Sequence, residues 1–212
     1  MLKTGNRLSI FPLAGALLLP RGFLPLHVFE PRYRALVSDA LARDRRIAMI
    51  QPAGGQEDAL HPDLFGVGCV GKIEHVEALA DGKFNLVLRG LTRFRLLNEM
   101  DVATPFRQVM GDTDAFAVDE QDPDPLPSVV RADVERAARR FADAHGYEID
   151  WGGVERLDDE ALVNGLSQVL PFDPAAKQGL LEAADLGVRA DVLVELLTFS
   201  SAGDESDGHT LQ

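Results

Sequence analysis

Leu24-Pro25-Leu26-His27-Val28-Phe29-Glu30-Pro31-Arg32-Tyr33 is the stretch on which the fold turns. Up to Phe29 it reads as an extended segment. Pro31 can then open a helix, because the N–H it lacks would be unpaired at a first helical position anyway. Tyr33, Leu36, Val37, Ala40 and Leu41 follow at helical spacing, so one apolar face runs along an amphipathic helix over about 31–43. A strand feeding a helix this early implies a mixed α and β protein.

Upstream, Leu8 to Leu19 contains Pro12 and Gly15, which predicts short strand, turn, short strand rather than helix, before Pro20-Arg21-Gly22 turns the chain. Downstream, Ile47 to Ile50 reads as a buried strand and residues 52–63, with Gly54-Gly55 and His61-Pro62, as a loop. From Phe65 to Met110 the period becomes two. Asp81-Gly82 can both take positive φ in a type I′ hairpin, Phe84, Leu86 and Leu88 share a face, and Gly90 marks a bulge. Beyond it Phe94 and Leu96 face one side, with Arg93, Arg95 and Leu97 on the other. Several short strands with one early helix suggest a small, partly closed barrel over 1–110.

Residues 111–127 hold six acids, three prolines and no base, as expected of a solvated linker. The period is then 3.6. Val130, Val134, Ala137 and Phe141 line one helix, Leu162, Val163, Leu166, Val169 and Leu170 a second. Asp173-Pro174 caps a third carrying Leu180 and Leu181, which Gly187 ends, and Val192, Leu193, Leu196 and Leu197 make a fourth. The expected organisation is a barrel (1–110), an acidic linker (111–127), a helical bundle (128–200) and a disordered tail (201–212), an α+β chain.

Composition sets the limits on function. The 212 residues are 46% hydrophobic and 26% charged, ordinary values for a globular protein, and the net charge of −13 argues against a wholly electrostatic nucleic-acid or membrane binder. The charge is unevenly spread: residues 1–107 carry 14 Lys and Arg against 11 Asp and Glu, while the remainder carries 7 against 23. Cys69 is the only cysteine, which excludes an intrachain disulfide and makes a reducing cytoplasm the natural compartment. The apolar run Leu13 to Leu19 is far shorter than the roughly 20 residues that span a bilayer, and no signal peptide is evident.

Motifs that could carry chemistry each have a plainer explanation. Gly66-Val-Gly68-Cys-Val-Gly71-Lys72-Ile73 fits phosphate-loop spacings, yet Ile73 stands where a Mg²⁺-binding hydroxyl belongs and no helix start follows. Ser167 lies in a helical pattern without a nucleophile elbow, and four lysines give no sequence support to a Ser-Lys pair. His61 with Asp63, and His75 with Glu74 and Glu77, lack ligand spacing. Asp158-Asp159-Glu160 reads as first-turn acids on a helix dipole. Arg89, Arg93, Arg95 and Arg107 could form a basic stripe for RNA, without interleaved stacking aromatics. No catalytic, metal or cofactor residues are expected.

Ordered blocks carry a stronger signal. Phe11-Pro12-Leu13, Leu19-Pro20-Arg21-Gly22, the opening stretch Leu24 to Tyr33, Gly71-Lys72-Ile73, Asp81-Gly82-Lys83 and Gly90-Leu91-Thr92-Arg93-Phe94-Arg95 together resemble the amino-terminal substrate-binding domain of Lon ATP-dependent proteases. Leu166 to Leu197, with Leu170-Pro171-Phe172-Asp173-Pro174, is similar to the helical segment that follows it. The resemblance implies a PUA-like β-barrel followed by helices, in a stand-alone chain with neither ATPase nor protease module. It implies a non-enzymatic protein-binding module for unfolded or exposed apolar segments, an adaptor or regulator of proteolysis that works with a separate protease. An RNA-binding PUA-like module is the alternative. Pro25, Leu26, Phe29, Glu30, Arg32 and Tyr33 are the expected motif and binding residues, with Glu30 and Arg32 architectural.

Overall fold

The computed structural model describes residues 5–54 and 61–207, with side chains to 201. Six strands, β1 (Asn6–Pro12), β2 (Phe23–Val28), β3 (Arg46–Ile50), β4 (Val67–Ala78), β5 (Phe84–Glu99) and β6 (Gln108–Asp112), form one mixed sheet with α1 (Pro31–Leu41) inserted after β2. A 3-10 helix (Asp114–Glu120) follows, then α2 (Ser128–His145), α3 (Trp151–Val154), α4 (Asp159–Val169), α5 (Pro174–Glu182) and α6 (Leu186–Asp207). The chain is α+β.

The strand order is β2-β5-β4-β3-β1-β6, and β5 is long enough to pair with β6 as well, so the strand pairings from β5 round to β6 close on themselves. Among the described strands only β1 and β3 pair in parallel. A hairpin joins β4 and β5 with Asp81 and Gly82 at φ values of 71° and 75°, but the Gly82 N–H donates to the Leu79 carbonyl (3.2 Å), which centres the turn on Ala80 and Asp81 instead of making the expected type I′ turn. Leu91 is the extra residue of a bulge beside Gly90, where Val70 pairs with Thr92 but Gly71 with Gly90. Inside the ring, Ile10, Ala48, Ile50, Val70, Phe94 and Val109 make one cluster with Leu8, Leu64, Leu91 and Leu96 packed against it.

The molecule divides into two compact units, and the division departs from the one the sequence suggested. Residues 1–122 with 171–181 form the first, and 123–170 with 182–212 the second. Helix α5 belongs with the sheet because buried polar groups tie it there. Gln51 Nε2 donates to the Pro174 carbonyl (3.1 Å) and to Gln178 Oε1 (3.2 Å), while Gln178 Nε2 donates to the Val67 carbonyl (3.0 Å). In the second unit α2 and α4 pack on α6, burying Val134, Ala137, Phe141, Leu162, Val163, Leu193 and Leu197.

Four local expectations are corrected. No second strand forms between Leu13 and Leu19; Gly15 turns the chain at φ 71°, and Leu17 to Leu19 are buried as irregular backbone. The acidic stretch is not wholly a solvated linker, since its start is β6, its middle is the 3-10 helix, and Asp119 is buried. Gly187 does not end a helix but sits in the first turn of α6, where Asp185 Oδ1 accepts from the Val188 N–H (2.9 Å). That helix continues to Asp207, into the expected tail; residues 208–212 lie outside the described residues. The Asp173 cap is present, its Oδ1 accepting from the Ala176 N–H at 2.8 Å.

Candidate functional site

The residues around Pro25 to Tyr33 separate by which way the backbone turns them. Among the described residues β2 ends the sheet and pairs antiparallel with β5 alone, Pro25 opposite Val87 and His27 opposite Asn85. Side chains alternate along a strand. Leu24, Leu26 and Val28 therefore point inward, with Leu26 half-buried and Val28 buried, whereas Phe23, Pro25 and His27 face outward. Phe29 continues the outward row with its ring 6.1 Å from that of His27. Phe23 and Phe29 are 56% and 58% exposed, a large apolar exposure for two rings on one strand face.

Polar neighbours fix this row. His27 Nδ1 donates to Asn85 Oδ1 (2.8 Å), and Asn85 Nδ2 donates to Glu77 Oε2 (3.2 Å). A shallow groove of about 300 Å³ runs beside it, with Pro25, His27, His75 and Val87 in its lining. An edge strand carrying an apolar row can accept an extended chain by main-chain pairing, with alternate side chains set against the row.

Beyond Phe29 the motif becomes architectural. Glu30 occupies the N-cap of α1 but makes no side-chain cap; its carboxylate accepts from Arg32 Nε at 2.9 Å. The Arg32 guanidinium lies 4.5 Å over the Tyr33 ring. Tyr33 is buried, stacks on Phe11 with centroids 4.0 Å apart and donates to the Pro12 carbonyl (3.3 Å). Burial pushes its hydroxyl pKa up. Of the six expected residues, then, Pro25 and Phe29 are exposed on one face, Glu30 and Arg32 are partly exposed and paired, and Leu26 and Tyr33 turn inward. Phe23 and His27 were missed, although their alternation with Pro25 is the signal that finds them.

The other motifs resolve structurally. Gly68 and Gly71 lie within β4, not before a helix, and a Cβ at Gly68 would stand 2.5 Å from the Met49 carbonyl and 2.6 Å from the Phe94 ring. Ser167 is buried in α4 and donates to the Val163 carbonyl. Asp158 caps α4 through the Ala161 N–H, and Asp159 accepts from the Leu126 N–H and Arg131. The basic stripe does not assemble, because Arg93 is buried against Asp119 and Arg107 is held by Glu99. A larger cleft, about 810 Å³, has charges of both signs on its walls, Arg43 paired with Asp39 and Arg46 with Asp44. Among the described residues no group of three or more His, Cys, Asp and Glu could hold a metal ion, and no helix is long and apolar enough to cross a membrane.

Comparison with known proteins adds a family. The substrate-binding domain of ATP-dependent protease La (LON) matches residues 7–198. Lon protease 2 of Myxococcus xanthus is 26% identical over 197 residues, covering 90% of this chain and 23% of that protein. Lon protease of Escherichia coli (strain K12) is 22% identical over 192 residues, 90% of this chain and 24% of its own length. The chain thus spans about a quarter of these relatives. The solved amino-terminal domain of the Mycobacterium avium complex Lon protease superposes with a TM-score of 0.64 at 19% identity, over 91% of this chain and 98% of that one. A Lon N-terminal domain protein from Xanthomonas campestris gives 0.63 at 22%, over 92% and 98%.

Proposed function

The chain belongs to the Lon substrate-binding-domain family, and from that premise we propose that it binds unfolded or exposed apolar protein segments as a non-enzymatic recognition module, an adaptor or regulator for a separate protease. The observation that carries this reading is the outward row of Phe23, Pro25, His27 and Phe29 on the sheet's terminal strand. Leaving two phenylalanine rings in water forgoes roughly 1.5–3 kcal/mol for each that a partner could cover. The edge backbone, apart from Pro25, which has no N–H, can supply hydrogen bonds that do not depend on the client's sequence, which suits a module meeting many chains. The matched part of the relatives is their substrate-binding domain, which supports recognition as the role of this chain. A cytoplasmic location is part of the same reading, in keeping with the single, buried Cys69.

The test is binding of a reduced, carboxymethylated protein held unfolded, followed by fluorescence anisotropy. Wild-type chain should bind it with an affinity little changed by salt, and Phe23→Ser with Phe29→Ser should weaken it about tenfold or more, the size of a modest pair of apolar anchors. Equal binding by the double variant, with its circular dichroism intact, would refute the surface. Binding of RNA that collapses steeply as salt is raised would point instead to phosphate contacts.

A further inference from the structure

Between the end of β1, the first turn of α1 and the residues just before β6 lies a separate pocket of about 170 Å³. Pro12, Tyr33, Pro105 and Phe106 give it apolar walls, and its charged or titratable nitrogen groups come from Arg32, Arg107 and His61. The carboxylates that hold the two guanidinium groups stand outside that lining. Arg107 donates from Nε and Nη2 to Glu99 at 2.7 and 2.6 Å and from Nη1 to the Pro62 carbonyl at 2.9 Å, which fixes its plane. Arg32 is fixed by Glu30 on one side and the Tyr33 ring on the other. Arg32, Glu30 and Arg107 all bear electrostatically on the Tyr33 hydroxyl, the two cations against the one carboxylate, so both guanidinium groups lie near one small space.

Size and chemistry narrow the occupant. A site of this volume holds about six waters' worth of ligand and falls below the roughly 300–1,000 Å³ of cofactor and nucleotide pockets. Rigid guanidinium groups match a planar carboxylate better than a compact charge would. Apolar walls beside them favour a carboxylate attached to an apolar group over a bare, fully hydrated anion.

We propose that this pocket binds the carboxylate of an apolar C-terminal residue, the free end of an extended polypeptide, with Arg32 and Arg107 facing the carboxylate and Phe106, Pro105 and Pro12 facing the side chain. The inference deepens the proposed function, since it names a chemical feature of the clients. It predicts preference among unfolded chains for those ending in an apolar residue with a free carboxylate.

The test uses the full chain, ¹⁵N-labelled, titrated with N-acetyl-leucine, with N-acetyl-leucinamide and with inorganic phosphate, reading the arginine Nε–Hε signals assigned to Arg32 and Arg107. The free acid should shift both saturably, and the amide and phosphate should not. Arg32→Gln should weaken the response about tenfold, the dispersed Arg107 signal reporting an intact fold, and peptides ending in Leu should bind about tenfold tighter as acids than as amides. No response, or equal responses to acid, amide and phosphate, overturns the pocket. Binding of the unfolded client is measured on the same samples. Its absence with the acid response retained refutes the Phe23 and Phe29 surface and supports the pocket; its presence without the acid response overturns the pocket alone.

Discussion

The guanidinium of Arg93 and the carboxylate of Asp119 meet at 2.8 Å with side chains only 2% and 5% exposed, at the point where the chain leaves the sheet. Asp119 accepts from Nε and Nη2 of Arg93 and from its backbone N–H, while Arg93 Nη1 donates to the Leu181 carbonyl at 3.1 Å and its guanidinium lies 4.7 Å from the Phe116 ring centre. Arg21 Nη1 reaches the Asp119 carbonyl. One ion pair thus joins β5, the 3-10 helix and the end of α5 within the sheet unit.

Removing one partner of such a pair strands the other charge in a dry site. Asp119→Ala should therefore lower stability by about 3–5 kcal/mol, whereas replacing both residues, Arg93→Met with Asp119→Leu, should recover much of the loss because no unpaired charge is left. Denaturation in urea measures both. A double variant as unstable as the single one would show that the hydrogen bonds to Leu181 and the backbone matter more than the charge.

Residues 1–112 expressed alone lack Asp119 and all of α5. The fragment should have lost cooperative unfolding or should associate, because Arg93 is then unpaired and Gln51 loses both acceptors on the 174–178 segment. Joining residues 1–122 to 171–182 through a short Gly/Ser linker should restore a cooperative transition. Thermal melts followed by circular dichroism compare the two, and equal melting would show that α5 adds nothing to the sheet.

What the sequence made legible was local. The alternation of Phe84, Leu86 and Leu88, the positive φ of Asp81 and Gly82 and the Pro31 helix start are each decided within a few residues, and each stands in the structure. Arg93 was correctly placed on the strand face opposite Phe94, yet its burial could not be read there, because the cover comes from Asp119 and from Leu181, 26 and 88 positions along the chain. The same limit explains part of the acidic stretch: its composition suits solvent, yet Asp112 and Asp119 are buried, the first accepting from the Asp114 and Ala115 N–H groups and the second from a cation distant in sequence. In the site, Pro25 and Phe29 were legible as motif residues, but the inward turn of Leu26 and Tyr33 depended on which strand β2 pairs with.

Gly68 tests how tightly the ring is packed. Its missing side chain lets the Met49 carbonyl and the Phe94 ring close over β4, where a Cβ would be 2.5 and 2.6 Å away. Neither neighbour is a flexible side-chain end, and Phe94 is fully buried. Gly68→Ala should cost about 1–3 kcal/mol through overpacking, read as a lower urea midpoint. A neutral result would mean that the phosphate-like spacing of Gly66, Gly68 and Gly71 has no packing cause.

The second unit should carry an acid-sensitive element at Asp159. Its carboxylate accepts from Arg131 Nη1 at 2.7 Å and from the Leu126 N–H at 2.8 Å, and these donors, the arginine first, hold its pKa below the ordinary aspartate range. The unfolded chain thus takes up the proton at a higher pH than the folded one. The stabilisation is fully present above the unfolded value, near pH 4, and is lost as pH falls through the lower folded value. Asp159→Asn should remove that dependence, so the difference in stability between wild type and variant should be largest at neutral pH and shrink below about pH 4. Urea midpoints of the two chains between pH 7 and pH 3 measure it; a difference that stays constant across that range would mean that Asp159 titrates alike in the folded and unfolded chain.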